Sequence, residues 1–185
     1  MQAPEATRVI VGGMPITPDT KNWTWVLEER CPECSFEASN VPRESVAQMI
    51  RDNAGAWRLV LERPDVRTRP RADMWSPLEY ACHVRDVFRI CDGRLALMLA
   101  EDDPTFPNWD QDETAVADDY AAQDPSRVAA EIEQAAARFA DRFDTVLGAQ
   151  WSRPGLRSDG SSFTIESFAR YAIHDPVHHL VDVGV

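Results

Sequence analysis

The sequence predicts an all-α fold: a four-helix bundle with one long crossover between helices 2 and 3, preceded by an irregular N-terminal arm. Three observations carry this. From Arg43 onward the apolar residues recur at spacings of three and four. Capping residues and prolines cut that pattern into four stretches, each about 20 residues long. An acidic, proline-containing segment, residues 101–124, separates the second stretch from the third and is longer than the usual connection inside a bundle.

Residues 1–42 form the arm. They hold turn formers, the aromatic pair Trp23 and Trp25 and the segment Cys31-Pro32-Glu33-Cys34, with no sustained helical period and a short strand expected around Val9 to Val11. Residues 43–185 form the bundle. Helix 1 runs from about Pro42 to Glu62, its apolar face marked by Val46, Met49, Ile50, Ala54, Trp57 and Leu61. Helix 2 begins at Ser76-Pro77-Leu78-Glu79, which places Ser at the N-cap, Pro in the first turn and Glu where its carboxylate reaches back to the cap amide. Its apolar face continues through Val84, Val87, Phe88, Cys91, Leu95 and Met98. Asp124-Pro125 opens helix 3, with Val128, Ile132, Ala136, Phe139 and Phe143 as the buried stripe. Thr164 opens helix 4, with Ile165, Phe168, Ala169, Ala172, Leu180 and Val181 facing inward.

Charge excludes some functions. With 19 basic against 31 acidic residues the net charge is −12, the wrong sign for neutralising phosphates, so a nucleic-acid partner is not expected. The densest basic run, Arg63 to Arg71, is broken by two prolines and an aspartate. No apolar stretch reaches the roughly 18 residues a membrane span needs. The N-terminus lacks the basic start and apolar run of a secretory signal, so a cytoplasmic location with reduced thiols is expected. No P-loop, glycine-rich dinucleotide turn or nucleophile elbow occurs in the chain.

The histidines carry the chemical signal. His174 and His178 are four apart on helix 4, so both imidazoles project from one face. His83 lies in the middle of helix 2, bordering its core face. Metal sites in bundles are assembled from facing helices, and three nitrogen ligands leave room for water or substrate. His179 points about 100° away from His178 and is read as a surface residue or part of the shell behind the ligands, with its substitution for one of them left open. Pro176 cannot donate to the Ala172 carbonyl, so the helix either kinks there or restarts with Asp175 as N-cap. Asp86, Asp175 and Asp182 are placed to orient ligand rings, or are solvated acids.

The segments WSPLEYACHVRDVF, NWDQDE and HDPVHHL resemble the DinB/YfiT-like family of metal-dependent enzymes, over residues from about 43 to the end of the chain. The resemblance implies a bundle that is often dimeric and holds a divalent ion, zinc or nickel, on three histidines, here His83, His174 and His178. It further implies a thiol-dependent S-transferase or isomerase that takes a low-molecular-weight thiol such as mycothiol or bacillithiol and a small-molecule substrate. The alternative is a non-catalytic metal- or small-ligand-binding protein of stress or detoxification. Arg85, Arg89 and Arg157 are candidates for holding a carboxylate through the guanidinium fork, and Trp109 with Asp110 for covering the pocket.

Cys31 and Cys34 have three readings. They are a dithiol or disulfide in the arm, part of a structural metal site completed by another chain, or two buried thiols without chemistry; a second CxxC is absent. Cys82 and Cys91 read as small apolar core residues.

Overall fold

The computed structural model describes Ile16 and residues 21–185, and the strand expected around Val9 to Val11 lies outside them. Helices α1 (Val46–Leu61), α2 (Pro77–Ala100), α4 (Pro125–Asp144) and α5 (Ile165–Asp182) make the bundle, and a short α3 (Gln111–Ala117) sits in the crossover. Each long helix after the first starts where its cap residue predicts. Ser76 Oγ accepts from the Glu79 amide while the Glu79 carboxylate accepts from the Ser76 amide at 2.8 Å. Asp124 accepts from the Arg127 amide and Thr164 from the Ser167 amide. Such caps satisfy donors that a first helical turn leaves unpaired.

The α4 stripe Val128, Ile132, Ala136, Phe139 and Phe143 is buried and packs against both α1 and α2. Helix α2 differs, because every residue from Ala81 to Phe88 is buried. It is covered by α4 and α5 and, on its remaining side, by the crossover. Its polar residues are therefore paired. Arg69 clasps the Glu79 carboxylate through two nitrogens. The Asp86 carboxylate accepts from Arg85 at 2.7 and 2.9 Å, from Arg89 at 3.1 Å and from the Tyr120 hydroxyl at 2.7 Å. Arg85 also donates to Gln123 and Glu131.

The crossover and the connection between α4 and α5 contain structure that residue spacing did not announce. Strand β1 (Thr105–Phe106) pairs in parallel with β2 (Pro154–Arg157), which pairs antiparallel with β3 (Ser162–Thr164), in the order β1-β2-β3. Strands of two to four residues are too short for alternation to be seen. The hairpin between β2 and β3 turns at Gly160, whose φ of +92° suits glycine. The Leu156 amide donates to the Pro104 carbonyl, the Ser158 amide to Phe106 and the Asn108 amide to Ser158 Oγ at 2.8 Å. These bonds fix the chain just ahead of Trp109. Among the described residues no helix is long and apolar enough to cross a membrane.

Asp86→Ala is expected to destabilise the fold by about 3–5 kcal/mol, because it leaves Arg85 buried without its main counter-ion; denaturant unfolding measures it. Burial alone would raise the Asp86 carboxyl, but Arg85 and Tyr120 outweigh it and hold the group below the ordinary carboxylate range. The depressed value means that the stabilisation is complete above the unfolded pKa of about 4 and is lost as pH falls from there through the folded value. Unfolding free energy should fall less steeply across that acid range in Asp86→Asn than in the parent.

Candidate metal centre

Helix α5 runs unbroken from Ile165 to Asp182 with Pro176 inside it, so Asp175-Pro176 does not restart a helix. Asn53 Nδ2 donates to the Pro176 carbonyl at 2.9 Å, tying this turn to α1. Residues 174–179 carry two pairs at four-residue spacing, His174 with His178 and Asp175 with His179. On a helix these pairs face directions about 100° apart.

The Asp175 and His179 pair meets α2. His83 Nε2 lies 3.2 Å from Asp175 Oδ1, and His179 Nε2 lies 3.6 Å from the same oxygen. The three donor atoms are mutually within 4.8 Å. Metal–donor bonds of about 2.1 Å at tetrahedral angles put donors about 3.4 Å apart, so the set fits a divalent ion. His179 Nδ1 is 2.7 Å from Asp182 Oδ2, a carboxylate behind the imidazole that fixes its orientation and tautomer. Burial by itself raises the Asp175 carboxyl, yet His83 and His179 overcome this and hold it below the usual range. It therefore stands ionised, as a ligand must. His83 is fully buried, and among the described residues its Nδ1 has no hydrogen-bond partner. Its ring is stacked on Trp109 with centroids 5.3 Å apart and 6° between planes, and Trp75 lies against it at 5.2 Å.

The histidine expectation is thus redistributed. His83, His174 and His178 do not form one cluster, because the 174 and 178 rings turn toward the arm, with His174 facing Cys34 and His178 facing Cys31. Burial pushes His174 down to about 4 and lowers His178 as well, so both rings are neutral near pH 7. His179, expected at the surface or behind the ligands, stands beside His83. The signal for it lies in the helix phase: three and seven residues beyond Ala172, on the stripe of Phe168 and Ala172, come Asp175 and His179. Residue type favoured the histidine pair, and phase favoured the mixed one.

The other candidates divide in the same way. Asp175 and Asp182 are at the site, one as a donor and one behind His179. Asp86, expected to orient His83, instead holds Arg85, Arg89 and Tyr120. Arg85 is not at the site; it is 2% exposed and committed to that network. Arg89 bonds Asp86 and Glu131. Arg157 does line the cleft, although Asp159 and the Tyr171 hydroxyl hold its guanidinium. The cleft has a volume of about 420 Å³ and reaches Asp175 and His179 between Trp23, Trp109, Tyr171 and Cys91. Asp110 also lines it, as does Arg94, which sequence reasoning missed because it falls on an apolar helical face.

A family model described as the DinB superfamily matches residues 51–182. The chain belongs to the DinB superfamily. This DinB chain is also similar in structure to YfiT from Bacillus subtilis, described as a probable metal-dependent hydrolase with an unusual four-helix bundle topology. The TM-score is 0.69 at 19% identity, covering 88% of this chain and 96% of that one. No curated protein matches the sequence.

Asp182→Asn is expected to weaken divalent-ion binding at His83, Asp175 and His179 by about 10- to 100-fold, measured by competition with a chromogenic chelator. Arg89→Ala, which touches no donor, should leave that affinity unchanged.

Proposed function

We propose that this chain is a metal-dependent enzyme of the DinB type, with its ion held by His83, Asp175 and His179 and its substrate in the cleft beside Trp109. The observation that carries the reading is the convergence of three nitrogen and oxygen donors from two helices, two of which, Asp175 and His179, line a cleft. Three protein donors leave coordination positions for water or substrate, the pattern of catalytic rather than structural sites. A divalent ion held there supplies a Lewis acid that lowers the pKa of a bound water or thiol.

The protein's own residues then set the conditions. Asp182 holds the His179 ring in one orientation through its Nδ1. Trp75 and Trp109 keep water from the His83 side. Arg94 and Arg157 line the cleft together with Asp110, Asp112, Asp159 and Asp175, and Asp159 pairs Arg157, so the lining offers both donors and acceptors to a small polar substrate. The family resemblance supports S-transfer or isomerisation through a low-molecular-weight thiol, with zinc or nickel as the ion. The description of YfiT supports hydrolysis. For either reaction His83, Asp175 and His179 would hold the ion and the cleft would hold the substrate. The proposal also has the chain working in the cytoplasm as a homodimer.

Turnover of small electrophiles by tag-free protein, with and without mycothiol or bacillithiol, separates the two reactions. His83→Ala and His179→Ala should each lose about one equivalent of metal per chain and all turnover while retaining the parent circular dichroism. Metal binding without turnover in any assay would support the non-catalytic alternative. Light scattering at several concentrations tests the dimer, and a monomer mass throughout would remove that part.

A further inference from the structure

The arm carries a cluster that the catalytic reading leaves unused. Cys31 Sγ lies 3.6 Å from His178 Nδ1 and Cys34 Sγ 3.6 Å from His174 Nε2, and all four donor atoms are within 4.8 Å of one another. Neither cysteine is in a disulfide. We propose that Cys31, Cys34, His174 and His178 form a second, closed tetrahedral zinc site that pins the N-terminal arm to α5.

Four independent features support it. Bonds of about 2.3 Å to sulfur and about 2.0 Å to nitrogen give tetrahedral sulfur–nitrogen edges of about 3.5 Å, close to the 3.6 Å seen in both pairs. The spacings, C-x2-C and H-x3-H, are those of two-cysteine, two-histidine zinc sites. The arm is folded to present both thiols: the Ser35 amide donates to the Cys31 carbonyl and the Cys31 amide to the Phe36 carbonyl, with Ser35 at a φ of +64° closing the turn. Glu33, inside the motif, reaches His178 Nε2 at 3.3 Å, which supplies the carboxylate that a ligating imidazole needs on its far nitrogen.

Electrostatics favours zinc over an emptier arrangement. Cys31, His174 and His178 are buried, and the rings of Trp23 and Phe36 pack on the two imidazoles at 5.2–5.5 Å. A dicationic ion with two thiolates and two neutral imidazoles has no net charge, so it avoids the large cost of burying an uncompensated ion. Binding releases one proton from each thiol. All four ligands come from the protein, so this ion has no open position and its role is structural. It holds the helix that carries Asp175 and His179, and Asp182 contacts both His178 at 3.8 Å and His179 at 2.7 Å. The proposal does not rest on the enzymatic reading.

The test is cobalt substitution in the full-length, tag-free chain. Titrating metal-free protein with Co2+ should give tetrahedral d–d bands and a sulfur-to-cobalt charge-transfer absorption, both displaced by zinc. His83→Ala should keep them. Cys34→Ser should weaken the charge-transfer band and Cys31→Ser/Cys34→Ser should abolish it, with bundle circular dichroism retained. Because the wild-type spectrum needs no variant, misfolding of a mutant does not decide the matter. Absence of the charge-transfer band in reduced wild-type protein overturns the proposal, as does its persistence in the double variant. A native mass lighter by the two hydrogens of a disulfide overturns it too.

Discussion

Side chains four residues apart on an α-helix point the same way, and those one residue further along point about 100° round the axis. Within HDPVHH that geometry produces two donor pairs from six residues, and the surroundings of α5 give each pair a different neighbour. Asp175 and His179 lie near the inward stripe and meet His83 on α2. His174 and His178 lie at its flank and meet the cysteine turn of the arm. Rotating α5 by one residue, about 100°, would turn one pair toward the other's neighbour and the second pair away from both, so both clusters depend on the helix keeping one phase. The Thr164 cap fixes where its helical turns begin, the bond from Asn53 to the Pro176 carbonyl fixes its middle, and Phe168 and Ala172 bury the stripe.

A second constraint acts through α2. A helix buried on nearly all sides cannot carry unpaired charges, and the arrangement around Asp86 meets that condition by recruiting Tyr120 from the crossover and Glu131 from α4. The same crossover is paired to the β2–β3 hairpin, and together these contacts bring Trp109 onto the His83 ring. Arg85, which looked like a substrate-binding arginine, is thus an indirect contributor, since it donates to Gln123 and to the Asp86 carboxylate that Tyr120 also bonds, whereas Arg89 reaches Asp86 and Glu131. Burial imposes the same condition at the cleft: Arg157, which lines it, is 5% exposed and has Asp159 as its carboxylate, just as Arg85 has Asp86.

Much of the bundle was legible in the chain. Ser76, Asp124 and Thr164 marked three helix starts, and the stripe from Val128 to Phe143 is the buried face of α4. These signals are local, so distant packing did not have to be known. The small sheet was not legible, because its strands are too short to show a period. The partition of histidines was only half legible: His83 and the 174–179 segment stood out, but choosing between two pairs of equal spacing required knowing where α2 and the arm lie relative to α5.

The sequence by itself determined that these donors sit on helices at spacings suited to metal ions, that the chain is acidic, and that a CxxC turn precedes the bundle. Tertiary structure alone decided which donors meet. Spacing fixes direction relative to a helix's own axis, while convergence depends on what stands opposite, and the contacts joining Cys31 to His178 and His83 to Asp175 span 147 and 92 residues of chain. No local pattern encodes separations of that length. They follow from which hydrophobic stripe each helix buries, and against which neighbour.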